Sequence, residues 1–275
     1  MKGQGTGNEE KEMTFWEHLD ELRGVLVRSI IAIAILAIVA FAFKHFLFEN
    51  IILAPRDPDF ITYRILCSLG KMLSLDALCP DTVPFQVINI NLAGQFMSHM
   101  TVSLVAAFMV ASPYIVWELW RFIRPGLTKK ERKSTRGAVG VISMLFIIGV
   151  LFSYFIVVPL MVSFLGGYQV SDSVTNQIAL NSYTGSVTTM TLLMGLIFEF
   201  PVVVLFLTKI GILTPAHLKK YRKHTFVVIL IIAGVITPSP DIVSQLVVAL
   251  PLYALYEISL SVSRRIYRQR EEPAG

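Results

Sequence analysis

The stretch RFIRPGLTKKERKSTR, residues 121–136, carries Arg121, Arg124, Lys129, Lys130, Arg132, Lys133 and Arg136. An apolar run follows at 137–165, and the next polar gap, 166–186, has no lysine or arginine. The segment 209–223 is basic again (Lys209, Lys219, Lys220, Arg222, Lys223), 237–241 has none, and Arg264, Arg265, Arg268 and Arg270 follow near the end. Cationic loops resist translocation, so this alternation is the positive-inside signature of a polytopic helical membrane protein. The basic loops are expected on the cytoplasmic side.

Composition agrees. The chain is 54% hydrophobic and only 16% charged, with a mean hydropathy of +0.65; soluble domains carry about 25% charged residues. The net charge of +5 sits in loops beside apolar runs, where anionic headgroups account for it. No basic–aromatic module of a nucleic-acid binder appears, so no nucleic-acid partner is expected.

Apolar segments at 25–48, 92–117, 137–165, 187–210, 225–236 and 242–262 predict six spans, with both termini cytoplasmic. The expected organisation is a polar tail at 1–14, a membrane region at 15–265 and a cytoplasmic tail at 266–275. Its loops are external at 49–91 and 166–186 and cytoplasmic at 121–136 and 211–223. Ala40-Phe41-Ala42 resembles a cleavage site, but the apolar run before it is too long for a signal peptide, so the first span is expected to be retained. Within the long first loop, 61–75 can form a surface helix. The fifth apolar segment, 225–236, is only about 18 Å long as a helix, short of a hydrocarbon core of about 30 Å. It needs shielding, snorkelling flanks or a thinned bilayer.

Phosphate-loop, zincin and nucleophile-elbow motifs are absent, and the five histidines are scattered; neither an enzyme nor a metal or cofactor site is expected. Cys67 and Cys79 share the first external loop, where an oxidising compartment permits either a disulfide or two free thiols.

Three acidic positions stand out. Phe15, Leu19, Leu22 and Leu26 recur at helical spacing, predicting an interfacial amphipathic helix whose polar side carries Glu17, Asp20 and Glu21. Those acids either form a solvated face balanced by Arg23 or await a cationic partner. Glu131 is the only acid of the loop at 121–136, where neighbouring Lys129 or Arg132 can neutralise it. Glu199 lies in the apolar run 192–207, a depth at which a carboxyl costs about 2.5–3.5 kcal/mol, so it should face a cavity or polar partner. Ser244 and Gln245, or Gln95, Ser98 and His99, are the candidates to bond it.

These residues in order resemble the TatC family, the multi-spanning core subunits of the twin-arginine protein translocase. The resemblance rests on His18-Leu19-x-Glu21-Leu22-Arg23, on Ser112-Pro113 through Trp120-x-Phe122-Ile123-x-Pro125-Gly126-Leu127, and on Glu131-Arg132. It continues in Phe198-Glu199-Phe200-Pro201 and in Thr237-Pro238 with Asp241 and Ser244-Gln245. It implies an all-α integral membrane protein of the inner (cytoplasmic) membrane, a concave glove-like bundle with short fifth and sixth spans. It implies binding of twin-arginine signal peptides by Glu21 and Glu131 with Arg23, Phe122, Pro125 and Arg132. Further implications are contacts of Glu199 and Gln245 with single-span TatA- and TatB-like subunits, an external cap including Pro55 and Asp241, homo-oligomerisation, and transport of folded proteins driven by the proton-motive force. The 56–83 part of the first loop departs from the family pattern. The rival readings are a secondary transporter using Glu199 as its proton site, which the lack of internal repeats opposes, and a purely structural scaffold.

Overall fold

The computed structural model describes residues 15–73, 85–124, 137–171, 173–236 and 242–271. Helix α1 (Phe15–Ala42) runs through 43–45 into a π-helical turn, Phe46–Ile52, and a short 3-10 turn, Ala54–Arg56. Then come α2 (Ile61–Leu73), strand β1 (Gln86–Ile88) and α3 (Gly94–Ile123). Helix α4 (Ala138–Phe152) continues through a π-helical segment, Ser153–Val157, into α5 (Val158–Gly167). Strand β2 (Gln177–Ala179) precedes α6 (Leu180–Ile197), α7 (Phe200–Lys209), α8 (Pro215–Lys220), α9 (Arg222–Ile236) and α10 (Ile242–Glu271).

Among the described residues five helical stretches are long and apolar enough to cross a membrane: His18–Ala42, Gly94–Ile123, Ala138–Gly167, Leu180–Lys209 and Gln245–Tyr267. Helices are the form such runs must take, because hydrocarbon offers no partner for a free backbone N–H or C=O. The expected fifth span is α9, whose 15 residues make a helix of about 22 Å. It is not among the five. The spans also begin and end away from the apolar segments: α1 starts ten residues before its apolar run, and α6 takes in 180–186, read from sequence as loop.

Helix α3 is the hub, packing on α1, α4 and α6, while α4 also packs on α6 and α10 packs on α7 and α9. In α1 only 11% of the spanning window is buried, so most of its girth is left for lipid. One apolar cluster joins Met194 of α6 and Phe198 just after it to Val204, Leu218, Ala233 and Tyr256; the other joins Val102, Val158, Met161 and Val187 to the π-turn at Leu47 and Ile52. Met190 of α6 packs against both. Beside the first cluster, Arg222 pairs with Glu257 at 2.6 Å and donates to Tyr253 at 3.1 Å, tying α9 to α10.

The two segments expected as external loops fold onto each other. Parallel pairing of β1 with β2 sets Gln86 opposite Gln177 and Ile88 opposite Ala179. Tyrosines hold the segment after α1: Tyr154 donates to the Ile51 carbonyl (2.8 Å) and Tyr183 to that of Ile52 (3.0 Å). The Tyr63 hydroxyl lies 2.9 Å from the Pro55 carbonyl and 3.0 Å from that of Pro159. Burial pushes the Tyr63 hydroxyl well above the usual phenol range, so it remains a donor. Helix α2 confirms the helix expected at 61–75, and Thr62 anchors it by donating to the Phe155 carbonyl.

Close approach of α4 and α6 depends on glycine. A Cβ on Gly149 would lie 2.7 Å from the Met194 carbonyl oxygen and 2.8 Å from Phe198 Cβ, and one on Gly195 would lie 2.9 Å from the Phe146 ring. Small residues at such crossings replace the hydrophobic drive that lipid removes. Gly149→Ala should therefore lower stability by about 1–3 kcal/mol. Gly140 in the same helix faces open space, so Gly140→Ala should be neutral or slightly stabilising, by up to about 1 kcal/mol. Thermal unfolding in detergent checks the contrast; equal midpoints for the two variants would show that the crossing is not tight.

Candidate functional site

Two stretches far apart in sequence meet where α1 begins and α3 ends. On α1, His18, Glu21, Val25 and Arg28 recur at three- and four-residue spacing and so share a face. On α3, Glu118 and Phe122 are four apart and share another. The His18 ring stacks on Phe122 with centroids 4.2 Å apart and planes 21° apart. Ten residues along α1, Arg28 grips Glu118: Nε donates to Oε2 at 2.8 Å, and an Nη also lies 2.8 Å from Oε2. Val25, between these contacts, is 1% exposed.

Glu21 sits on this seam, half-buried, with Oε2 shut away from solvent and without a hydrogen-bond partner among the described residues. Asp20 and Arg23 point to the exposed side. An acceptor in that position costs about 1–3 kcal/mol unless something donates to it. Of the residues expected to read a cationic ligand, Glu21 and Phe122 are thus brought to one seam and Arg23 lies beside it. Pro125, Glu131 and Arg132 lie outside the described residues.

Sequence reasoning missed the pair beneath. Glu118 is 1% exposed, and besides Arg28 its carboxylate accepts from the Tyr114 hydroxyl on Oε1 at 3.1 Å. It is the only acid of α3, in an apolar run. The depth argument applied to Glu199 would have singled it out, and Arg28 is the first cation inside the first apolar segment.

Glu199 occupies the break between α6 and α7. The backbone turns there, with Glu199 N–H donating to the Leu196 carbonyl (3.1 Å) and Pro201 starting the next helix, where its missing N–H costs nothing. Both carboxylate oxygens are buried and make no side-chain hydrogen bond among the described residues; the backbone at Phe146 is the polar group beside them. Two of the expected partners are engaged elsewhere. Gln245 donates its amide to the Leu230 carbonyl (2.9 Å), and the His99 ring stacks on Phe41 with centroids 3.8 Å apart. Ser98 is buried without a hydrogen-bond partner among the described residues. The Ser244 side chain is outside those described.

At the opposite end, Pro55 is buried with its carbonyl engaged by Tyr63; Asp241 lies outside the described residues. Cys67 is disulfide-bonded, and Cys79, the only other cysteine in the sequence, lies outside them.

Removing Glu118 would strand a guanidinium at the edge of the hydrocarbon. Breaking a fully buried pair costs about 3–5 kcal/mol; since the Arg28 side chain is 42% exposed, about 1–3 kcal/mol is the fitting range. Glu118→Ala and Arg28→Ala should each lower the detergent melting temperature, and the exchange Arg28→Glu with Glu118→Arg should recover part of the loss. A double exchange no more stable than the sum of its single changes would show that the two side chains are not coupled.

Residues 17–251 match the family model described as Sec-independent protein translocase protein (TatC). The TatC protein of Blattabacterium sp. subsp. Periplaneta americana is 38% identical over 265 residues, covering 96% of this chain and 99% of that one. TatCy of Bacillus subtilis is 33% identical over 264 residues, 96% of this chain and 94% of its own. Two crystal structures of a twin arginine translocase receptor, TatC, superpose with TM-scores of 0.63 and 0.67 at 30% and 31% identity. They cover 91% and 90% of this chain and 100% and 99% of theirs.

Proposed function

The chain belongs to the TatC family of Sec-independent protein translocase proteins, a multi-pass component of a protein-transport system rather than a catalytic enzyme, and on that premise we propose that it is the receptor for twin-arginine signal peptides. The observation that carries this reading is the half-buried Glu21 on the α1–α3 seam, with one carboxylate oxygen lacking a donor among the described residues, next to the His18–Phe122 stack.

A guanidinium supplies what that oxygen lacks: parallel N–H donors matching the two carboxylate oxygens, on a group weakly enough hydrated to approach a partly apolar seam. Lysine offers a point charge without the fork. Glu131 is the second acid and reads the neighbouring arginine, with Arg132, Pro125 and Phe122 completing the patch. Arg23 and Arg28 flank Glu21 and keep the local field from becoming strongly anionic before a ligand arrives.

This end of the bundle is cytoplasmic in the proposed topology, with both termini on that side and α9 as the fifth of six spans in a glove-shaped inner-membrane bundle. At about 22 Å, α9 crosses only where the bilayer thins, a deformation costing fractions of a kcal/mol per Å. Thinning on one side lowers the barrier to passage of a folded protein. Glu199, with buried oxygens and no side-chain partner among the described residues, is the contact for TatA- and TatB-like single-span subunits, and Gln245 belongs to the same region. Pro55 and Asp241 are parts of the external cap, which a Cys67–Cys79 disulfide reinforces. Assembly as a homo-oligomer within the receptor complex and coupling to the proton-motive force complete the reading.

A photo-cross-linker beside the paired arginines of a precursor tests it. Charge-assisted contacts of about 1.5–3 kcal/mol correspond to a roughly ten- to hundredfold change in binding. Glu21→Gln and Glu131→Gln should each cut cross-linking on that scale, and a precursor with paired lysines should fall as far against the unmodified chain. Undiminished cross-linking in the doubly substituted protein rejects the receptor reading.

A further inference from the structure

At the end of α1 opposite the proposed receptor site, two cavities share a wall along the α1–α3 seam. The outer one, of about 390 Å³, is lined by Lys44, His45, Glu49, Gln95 and His99, with Phe48 and Phe96 at its sides. The inner one, of about 460 Å³, is almost wholly apolar, lined by Ile38, Phe41, Met97, Met100 and Leu104. The partition is aromatic: Phe41 of the inner cavity stacks on His99 of the outer at 3.8 Å and meets Phe96 edge-on at 6.4 Å. His99 Nε2 is shut off from solvent with no hydrogen-bond partner among the described residues.

Depth along the bundle suits an amphiphile. Helix α1 ends at Ala42 and α3 begins at Gly94, so the charged cavity lies where the spans leave hydrocarbon, at headgroup level. From Met97 to Leu104 the apolar groove descends about 10 Å along α3, at 1.5 Å per residue. A whole helix, about 10–12 Å across, cannot enter a space of that size, whereas an acyl chain can. Charge narrows the choice of headgroup: Lys44 and His45 suit a phosphodiester, and Glu49 suits an amine linked to it.

We propose that this seam is a binding site for one amine-bearing glycerophospholipid of the phosphatidylethanolamine type. Its phosphate lies between Lys44 and His45, its ammonium near Glu49, and the upper part of one acyl chain lies against Phe41, Met97 and Met100. The site lies at the other end of the α1–α3 seam from the proposed signal-peptide contacts, and its binding is measured without reference to membrane sidedness or to precursor recognition.

Native mass spectrometry of the intact chain tests the site, after exhaustive delipidation in maltoside detergent and incubation with equimolar phosphatidylethanolamine and phosphatidylglycerol. The wild-type protein should retain one phosphatidylethanolamine, favoured over phosphatidylglycerol by about two- to fivefold, the ratio supplied by one exposed charge pair. Met100→Trp fills the groove and should abolish retention. Ile231→Trp, at a lipid-facing position 60% exposed on α9, should not. Glu49→Gln, an exposed side chain whose change leaves the packing alone, should keep a bound lipid while bringing the two headgroups near parity. Millimolar inorganic phosphate should not displace the lipid. Equal retention by Met100→Trp and wild type, no headgroup preference in the wild type, an unchanged preference in Glu49→Gln, or displacement by phosphate would each overturn the proposal. Should Met100→Trp fail to fold, the Glu49→Gln comparison decides.

Discussion

Hydrocarbon offers no hydrogen bonds, and the arrangement of this chain follows from having to supply every one itself. The backbone answers with helices. Several hydroxyl side chains inside the spans answer by turning back on their own helix: Thr184, Thr188 and Thr191 donate to carbonyls four residues earlier, as do Thr208 and Ser259, whereas the hydroxyls of Ser29, Ser98, Ser103, Ser143 and Ser153 are buried without a partner among the described residues. Thr208 and Ser263 also meet across α7 and α10 at 3.0 Å. Two stretches of irregular backbone are partly protected. The π-helical segment at Ser153–Val157 lies with Ser153 and Val157 buried, and the turn at 198–199 sits against the buried Phe198.

Carboxylates cannot be served this way, because a helix has no free N–H to turn toward them. Each acid in or near the spans therefore needs a second element, and that need sorts them. Glu118 finds Arg28 and Tyr114 and is satisfied. Glu257 finds Arg222. Glu21 and Glu199 find nothing comparable among the described residues, and these two are the positions at which a ligand and a partner subunit are proposed to bind. Burial alone would not separate the groups, since Glu118 is the most buried of all. What separates them is whether the chain completes the shell itself.

That distinction also marks how far the sequence could be read. Positions of apolar runs and basic loops are local properties, so α1, α3, the α4–α5 stretch and the α6–α7 stretch were legible with shifted ends. The ends moved because the amphipathic helix expected from Phe15 runs without a break into the first span as α1, and because α6 takes in polar residues that hydropathy assigns to a loop. Partnerships were not legible. Arg28 and Glu118 are ninety residues apart, and nothing in either segment announces the other. Gln245 and His99 were plausible partners for Glu199 by chemistry; only the packing shows that one bonds the Leu230 carbonyl and the other stacks on Phe41. The β1–β2 pair has three residues a side, too few for an alternating pattern to register.

The receptor proposed for this seam would gain from this principle a specificity that affinity alone would not give. If Glu21 were fully solvated, a cation would trade one hydrated pair for another, and the net gain would be about 0–1 kcal/mol whichever cation arrived. Partial burial changes the comparison. The seam between α1 and α3 withholds water from one carboxylate oxygen, so a ligand is rewarded for directed donors and penalised for a bulky hydration shell. The guanidinium fork meets both conditions and an ammonium meets neither well. The same burial requires the seam to be rigid, because a carboxylate free to swing into water would recover its solvation and lose its preference. Arg28–Glu118 on one side of Glu21 and His18–Phe122 on the other supply that rigidity, joining the two helices at both ends of the residue that must not move.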